Sequence, residues 1–125
     1  MAEELTLRLD LALGGDAGAE ELDEATAGLL RELRELDVDS AERVSGGPAP
    51  EGTRAVEVAL LGSLVLKLGQ AAVGPVARVL QDWLARRSGR TIKLTLGEDS
   101  IELSGGSAAF QREMIETFLR ARAER

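Results

Sequence analysis

The sequence predicts a single α+β domain spanning residues 1–125, in which about four strands form one sheet covered on one face by helices. Three observations support this prediction. Apolar and polar residues alternate near both ends of the chain, as they do in half-buried strands. Elsewhere apolar residues recur at helical spacing. The length of 125 residues, with 44% hydrophobic and 30% charged residues, is typical of one globular domain. The predicted order of elements is β-α-β-α-α-β-β-α.

The first strand is predicted over residues 5–13, where every second residue is a leucine. Alternation with period two places these leucines on one face of a strand, and it outweighs the weak strand propensity of leucine. The glycine-rich segment 14–18 then breaks the strand. A helix follows from about Ala19 to Leu36, with leucines at helical spacing and acidic residues in the first turn, where they complement the helix dipole.

The middle of the chain contains one short strand and one apolar segment. Residues 37–44 are predicted to form the second strand, and residues 45–52 form a loop rich in glycine and proline. Residues 55–68 are apolar on nearly all sides, which favours a helix buried on several faces. The local alternation of Val56, Val58 and Leu60 also permits a short strand, so helix and strand both stay open there.

The C-terminal half is predicted to contain two helices around a hairpin. A helix runs from about Gly74 to Arg87, with Pro75 in its first turn, where the missing N–H group is harmless. Residues 91–96 and 100–104 alternate on either side of a turn at residues 97–99, as in a β-hairpin. Ser107 is a suitable N-cap for a last helix over about residues 108–121. The apolar side of that helix contains Phe110, Met114, Ile115, Phe118 and Leu119.

The sequence lacks the side chains on which most catalytic sites depend, since it contains no histidine and no cysteine. The usual general base, thiol nucleophile and commonest metal ligand are therefore missing. The glycine-rich segment 14–18 lacks the spacing and the lysine of a phosphate-binding loop. Asp37, Asp39 and Glu42 are not followed by the closing glutamate of a calcium loop. The chain is predicted to be no enzyme and to have no cofactor or metal site.

Net charge and its distribution bear on partners and location. The chain carries a formal net charge of −7, and residues 1–52 hold 14 acidic and 4 basic residues. Nonspecific nucleic-acid binding depends on basic residues, so we expect none. The acidic start Met1–Glu4 is unlike a signal peptide, and the apolar segment 55–68 is shorter than the roughly 20 residues of a membrane span. These features predict a cytoplasmic protein without membrane contact.

One basic cluster is the candidate partner-binding site. Its members are Arg78, Arg86, Arg87, Arg90 and Lys93. In one interpretation the cluster binds an acidic protein surface or a phosphate group. In the other it is the solvated end of a helix. Trp83 belongs to the apolar stripe of the same helix and is expected in the core. Small residues between Gly62 and Gly74 permit close helix packing, either within the chain or across a homodimer seam.

The layout resembles a known bacterial family, the effector-associated constant component family of predicted conflict systems. The resemblance is carried by the strand over residues 5–13, the segment 58–63, the stretch Leu80 to Arg87, the hairpin and the closing helix. The chain departs from the family at residues 64–66, where the family usually has glycines. The resemblance implies a non-enzymatic component, encoded beside effectors such as proteases or NTPases, that couples a sensing module to its effector.

Three functions follow as hypotheses. The first is a non-enzymatic adaptor or scaffold of a bacterial defence system, which acts through contacts with an effector protease or an NTPase. The second is a membrane-docked module that uses an apolar helical pair over residues 55–84. The third is a small-ligand sensor with a pocket between the sheet and the helices.

Overall fold

Five strands form one fully antiparallel sheet in the computed structural model, which describes residues 4–14, 18–44, 62–87, 89–104 and 108–123. The strands are β1 (Leu5–Ala12), β2 (Ser40–Arg43), β3 (Ser63–Leu68), β4 (Thr91–Leu96) and β5 (Asp99–Ser104). The helices are α1 (Ala19–Arg34), α2 (Val73–Arg86), which a short 3-10 turn over Gln70–Ala72 precedes, and α3 (Ala108–Ala123). The α+β prediction is confirmed, but the sheet has five strands where about four were expected.

β1 lies at the centre of the sheet because its alternating leucines supply one wholly apolar face. The sheet order is β2-β3-β1-β4-β5, so β1 has a strand on each side. Leu9 lies opposite Leu64 of β3 and Leu94 of β4, and all three side chains are fully buried. The other face of β1 carries Thr6 and Arg8, which are exposed. The sheet therefore buries one face beneath helices, as the alternation predicts.

The fifth strand corrects the prediction for residues 55–68. Residues 63–68 form β3 and not the end of a helix, while Val56 to Leu60 lie outside the described residues. Leu64, Leu66 and Leu68 face the core, and Lys67 between them is exposed. β3 pairs with strands on both sides, so its backbone groups are satisfied by the sheet. The apolar helical pair over residues 55–84, on which a membrane-docked module would depend, therefore does not form as predicted.

Among the described residues, three helices cover the apolar face of the sheet. The predicted helices over 19–36, 74–87 and 108–121 correspond closely to α1, α2 and α3. Trp83 of α2 is 1% exposed and lies in the core, as expected. Gly74 of α2 lies beside Glu116 of α3, whose carboxylate oxygen would be 3.4 Å from an added Cβ. Gly74 therefore lies at a contact between two helices of the same chain.

The two outermost strands differ in how their free edges are covered. In β2, Val44 N–H donates to Ser63 O, so the alternation of an antiparallel ladder directs the carbonyl of Ala41 outward. Arg34 of α1 donates from Nε to that carbonyl at 2.9 Å. A second contact ties β2 to α1, since Arg43 pairs with Asp23 at 2.6 Å. The short strand β2 is thus held at its edge by a helix.

β5 is the opposite edge and belongs to a tight hairpin. Leu96 pairs with Asp99, so the turn contains only Gly97 and Glu98, and Asp99 is part of the strand. Gly97 has a φ of 61°, which the first central residue of such a two-residue turn requires. A two-residue hairpin is closed by a hydrogen-bonded pair, so Ser100, Glu102 and Ser104 direct their backbone groups outward. The side chain of Gln111 donates to the carbonyl of Ser104.

Candidate functional site

The C-terminal end of α2 carries the central part of the predicted basic cluster. Arg86 donates from Nη1 to Glu32 Oε2 at 2.8 Å and from Nη2 to the other carboxylate oxygen. This two-fold contact joins α2 to α1. The hydrogen bonds from Arg86 hold the pKa of Glu32 below its ordinary value, and the same contact raises the pKa of Arg86. Arg86 is therefore engaged within the chain.

Arg90 is held in place by the tryptophan of α2. Its guanidinium carbon lies 4.4 Å from the ring centroid of Trp83, a cation–π distance. Its Nη1 also donates to the backbone carbonyl of Trp83 at 2.9 Å. Burial lowers the pKa of Arg90, and the positive charges of Arg87 and Arg86 act in the same direction. Within the described part of the chain, its buried Nε has no hydrogen-bond partner.

Two of the predicted site residues, Arg78 and Lys93, lie apart from Arg86 and Arg90. Arg78 is exposed on α2, about two helical turns before Arg86. Lys93 is exposed on β4, on the sheet face opposite the helices, where it lies across from Asp10 and Glu102. The structure thus brings Arg86, Arg87 and Arg90 together but separates Arg78 and Lys93 from them. A role of the five residues in partner binding stays a prediction.

A mixed-charge cleft lies beside Arg87 and Arg90. It has a volume of about 490 Å³, and the described residues that line it are Leu13, Gly14, Glu21, Glu24, Ala25, Arg87 and Arg90. The acidic side chains come from the first turns of α1, and the basic side chains come from the connection between α2 and β4. The sequence alone does not mark Glu21 or Glu24 as site residues, because acidic residues near the start of a helix have an ordinary explanation in the helix dipole.

An apolar groove lies at the β5 edge of the sheet. It has a volume of about 440 Å³ and is lined by Ile101 of β5 and by Glu113, Met114, Thr117 and Phe118 of α3. Ile101, Met114 and Phe118 pack against the core but are only partly buried. The helical periodicity places Met114 and Phe118 on the apolar side of a helix, and the structure confirms this. Their partial exposure follows from the position of α3 beside an edge strand, which periodicity does not reveal.

The glycine-rich turn, the metal sites and the membrane spans that the sequence raises as candidates can also be compared with the structure. The glycine-rich turn over residues 14–18 and the N-cap Ser107 lie largely or wholly outside the described residues. Among the residues that the structure describes, no three acidic, histidine or cysteine side chains are grouped so that they could hold a metal ion. No helix in the described ranges is both long enough and apolar enough to cross a membrane.

Comparison of the chain with protein-family models, with curated proteins and with solved structures finds no match.

Proposed function

We propose that this chain is a non-enzymatic adaptor of a bacterial conflict system, which acts in the cytoplasm and couples a sensor or an NTPase to an effector such as a protease. The family resemblance supports the biological setting, and the absence of histidine and cysteine from the sequence supports a role in binding. The observation that carries the proposal is the apolar groove beside the edge strand β5.

The groove combines the two features by which an extended peptide is recognised. An edge strand offers backbone donors and acceptors, and neighbouring pockets take alternate side chains of the added strand. Ser100 and Glu102 direct their backbone groups to the free side of β5, while Ile101 contributes to the groove. An added strand would thus place every second side chain against Met114 and Phe118.

Charge indicates the kind of segment that fits. Glu113 lines the groove, and Glu98 and Glu102 are exposed on the hairpin that contains β5. The proposed occupant is therefore an extended segment of the effector that alternates apolar and basic residues. Opposite charges across such an interface raise the association rate and disfavour other partners.

The proposal is tested by binding to a candidate effector protease or NTPase, chosen from the genes that neighbour the gene of this chain. The purified pair should bind with about 1:1 stoichiometry in calorimetry. Met114→Glu places a charge in the groove, and Glu102→Pro removes an outward N–H group at an edge position that tolerates proline. We expect each to weaken binding about tenfold or more, as loss of roughly 1.4 kcal/mol or more implies.

Thr6→Ala is the control, because Thr6 is exposed on β1, does not line the groove and carries no charge. It should bind as the unchanged chain does. Unaltered affinity in both Met114→Glu and Glu102→Pro would exclude the β5 edge as the docking surface. Turnover of a substrate by the isolated chain would contradict the non-enzymatic role.

A further inference from the structure

The mixed-charge cleft lined by Glu21, Glu24, Arg87 and Arg90 is distinct from the groove at β5 and does not enter the adaptor proposal. Its volume of about 490 Å³ lies in the range of small-molecule pockets, which is about 300–1,000 Å³. The cleft forms where the end of β1, the start of α1 and the connection from α2 to β4 meet. A site of this size suits a metabolite and is too small for a protein surface.

The acidic and basic side chains of the cleft do not neutralise one another. The ion pairs among the described residues include no contact between Glu21 or Glu24 and Arg87 or Arg90. Glu21, Glu24 and Arg87 are exposed to solvent. Opposite charges that line one cleft without pairing leave both an anion-binding and a cation-binding group available to a ligand.

The basic side of the cleft is ordered by contacts that do not depend on a ligand. Arg90 is fixed by the ring and the backbone carbonyl of Trp83. Its guanidinium has five N–H donors, and in the described part of the chain the buried Nε has no acceptor. The backbone segments at Gly14 and Gly89 also lie close together beside the cleft, since a Cβ on Gly14 would lie 3.0 Å from Gly89 O. A guanidinium held in one orientation loses little freedom when it binds a carboxylate.

The charges also determine which ligands the cleft disfavours. A simple anion such as phosphate gains from Arg87 and Arg90 but is repelled by Glu21 and Glu24. A simple cation is attracted by the two glutamates but repelled by the two arginines. A molecule that carries one negative and one positive charge is attracted by both the arginine pair and the glutamate pair. The half-buried Leu13 and Ala25 provide apolar contact for the part of the ligand between its two charges.

We propose that this cleft binds a small dipolar ion, with its carboxylate at Arg87 and Arg90 and its ammonium group at Glu21 and Glu24. The ligand class is that of free amino acids and related ω-amino acids. Charge-assisted hydrogen bonds at both ends fix the orientation of the ligand, and the separation of the two pairs selects its length.

The probes are unbranched ω-amino acids, from β-alanine to 8-aminooctanoate, titrated into the full chain up to about 20 mM and followed by amide chemical shifts. We expect saturable shifts around Gly14, Ala25 and Arg90, with the tightest binding at one chain length. The N-acetyl derivative and the amide of that probe each lose one charge, and each should bind about tenfold more weakly or worse.

Variants locate the site. Glu24→Gln and Arg87→Gln should each weaken binding of the best probe about tenfold, while Glu35→Gln and Arg78→Gln remove exposed charges outside the cleft and should leave it unchanged. Far-UV circular dichroism checks that each variant is folded.

Three results would overturn the proposal: no saturable shifts with any chain length, equal binding of the blocked derivatives, or equal loss in the variants inside and outside the cleft. The outcome is independent of the adaptor proposal, because Met114→Glu should bind the probe normally.

Discussion

Replacing Gly62 with alanine is the sharpest test of the sheet register, because this glycine lies where β3 begins beside β1. Leu11 N–H donates to Gly62 O at 2.8 Å, which extends the ladder between the two strands by one pair. A Cβ at position 62 would lie only 2.6 Å from Leu11 O and 3.2 Å from a methyl carbon of Leu22. The first of these atoms is backbone and cannot rotate away.

The magnitude follows from these two contacts. Overpacking of a well-packed site costs about 1–3 kcal/mol. Relief of the clash requires β1 and β3 to move apart at this point. This movement also weakens the Leu11–Gly62 hydrogen bond, which contributes about 1 kcal/mol. We therefore expect Gly62→Ala to lower the free energy of unfolding by about 2–4 kcal/mol. With a urea dependence of about 2 kcal/mol per molar, the unfolding midpoint falls by about 1–2 M.

Urea unfolding followed by the fluorescence of Trp83 measures this change, because Trp83 is the single tryptophan and is buried. Gly69→Ala is the matched control. Gly69 has a φ of −94°, which suits any residue, and no atom lies within 4 Å of its added Cβ. Its free energy of unfolding should stay within about 0.5 kcal/mol of that of the unchanged chain or rise slightly. Equal midpoints for the two variants would refute the register of β1 and β3.

Three further perturbations test the core and the helix contact. Leu9→Ala should lower the free energy of unfolding by about 2–5 kcal/mol in urea titrations, while Thr6→Ala on the exposed face of the same strand should change it by less than about 0.5 kcal/mol; similar values would show that the other face is buried. Trp83→Ala should cost about 3–5 kcal/mol by circular dichroism, because it empties a core position and removes the ring beneath Arg90; a cost below about 1 kcal/mol would contradict its place in the core. Since the pKa of Glu32 is lowered in the folded chain, its carboxylate stabilises the fold above the ordinary value of 4.5, and this contribution is lost as pH falls through the lower folded value. The stability difference between the chain and Glu32→Gln should therefore be about 1 kcal/mol or less near neutral pH and shrink in acid; a difference that does not change with pH would argue against the contact with Arg86.

The sequence predicts the elements whose apolar residues follow either strand alternation or helical spacing. It misses β3, because the segment that contains it fits both patterns. Alternation over β1 and the hairpin, and helical stripes over α1, α2 and α3, all describe the observed elements. In the segment 55–68 a long apolar run fits a buried helix, yet Leu64, Leu66 and Leu68 also alternate, with Lys67 as the polar residue between the last two. Pairing with β1 and β2 decides in favour of the strand, and this information is tertiary.

The site was predictable only in part, for a similar reason. The basic residues at the end of α2 are visible in the sequence, and their enrichment there fits the helix dipole. The partner of Arg86 is Glu32, 54 residues earlier, and the acidic side of the cleft comes from α1. Such contacts depend on how two helices pack on one sheet. No spacing along the chain encodes them.

The difference between the two edge strands, β2 and β5, has a consequence for the number of subunits in a complex. Open-ended polymers grow when both edge strands of a sheet are unprotected, because each subunit can then pair with one further subunit at either edge. Here the border at β2 is short and bound by Arg34 and Arg43 to a helix, whereas Ser100 and Glu102 face outward at β5. We expect a molecule built in this way to accept one additional strand at β5 and no further strand, so its complexes should be discrete particles and not fibres.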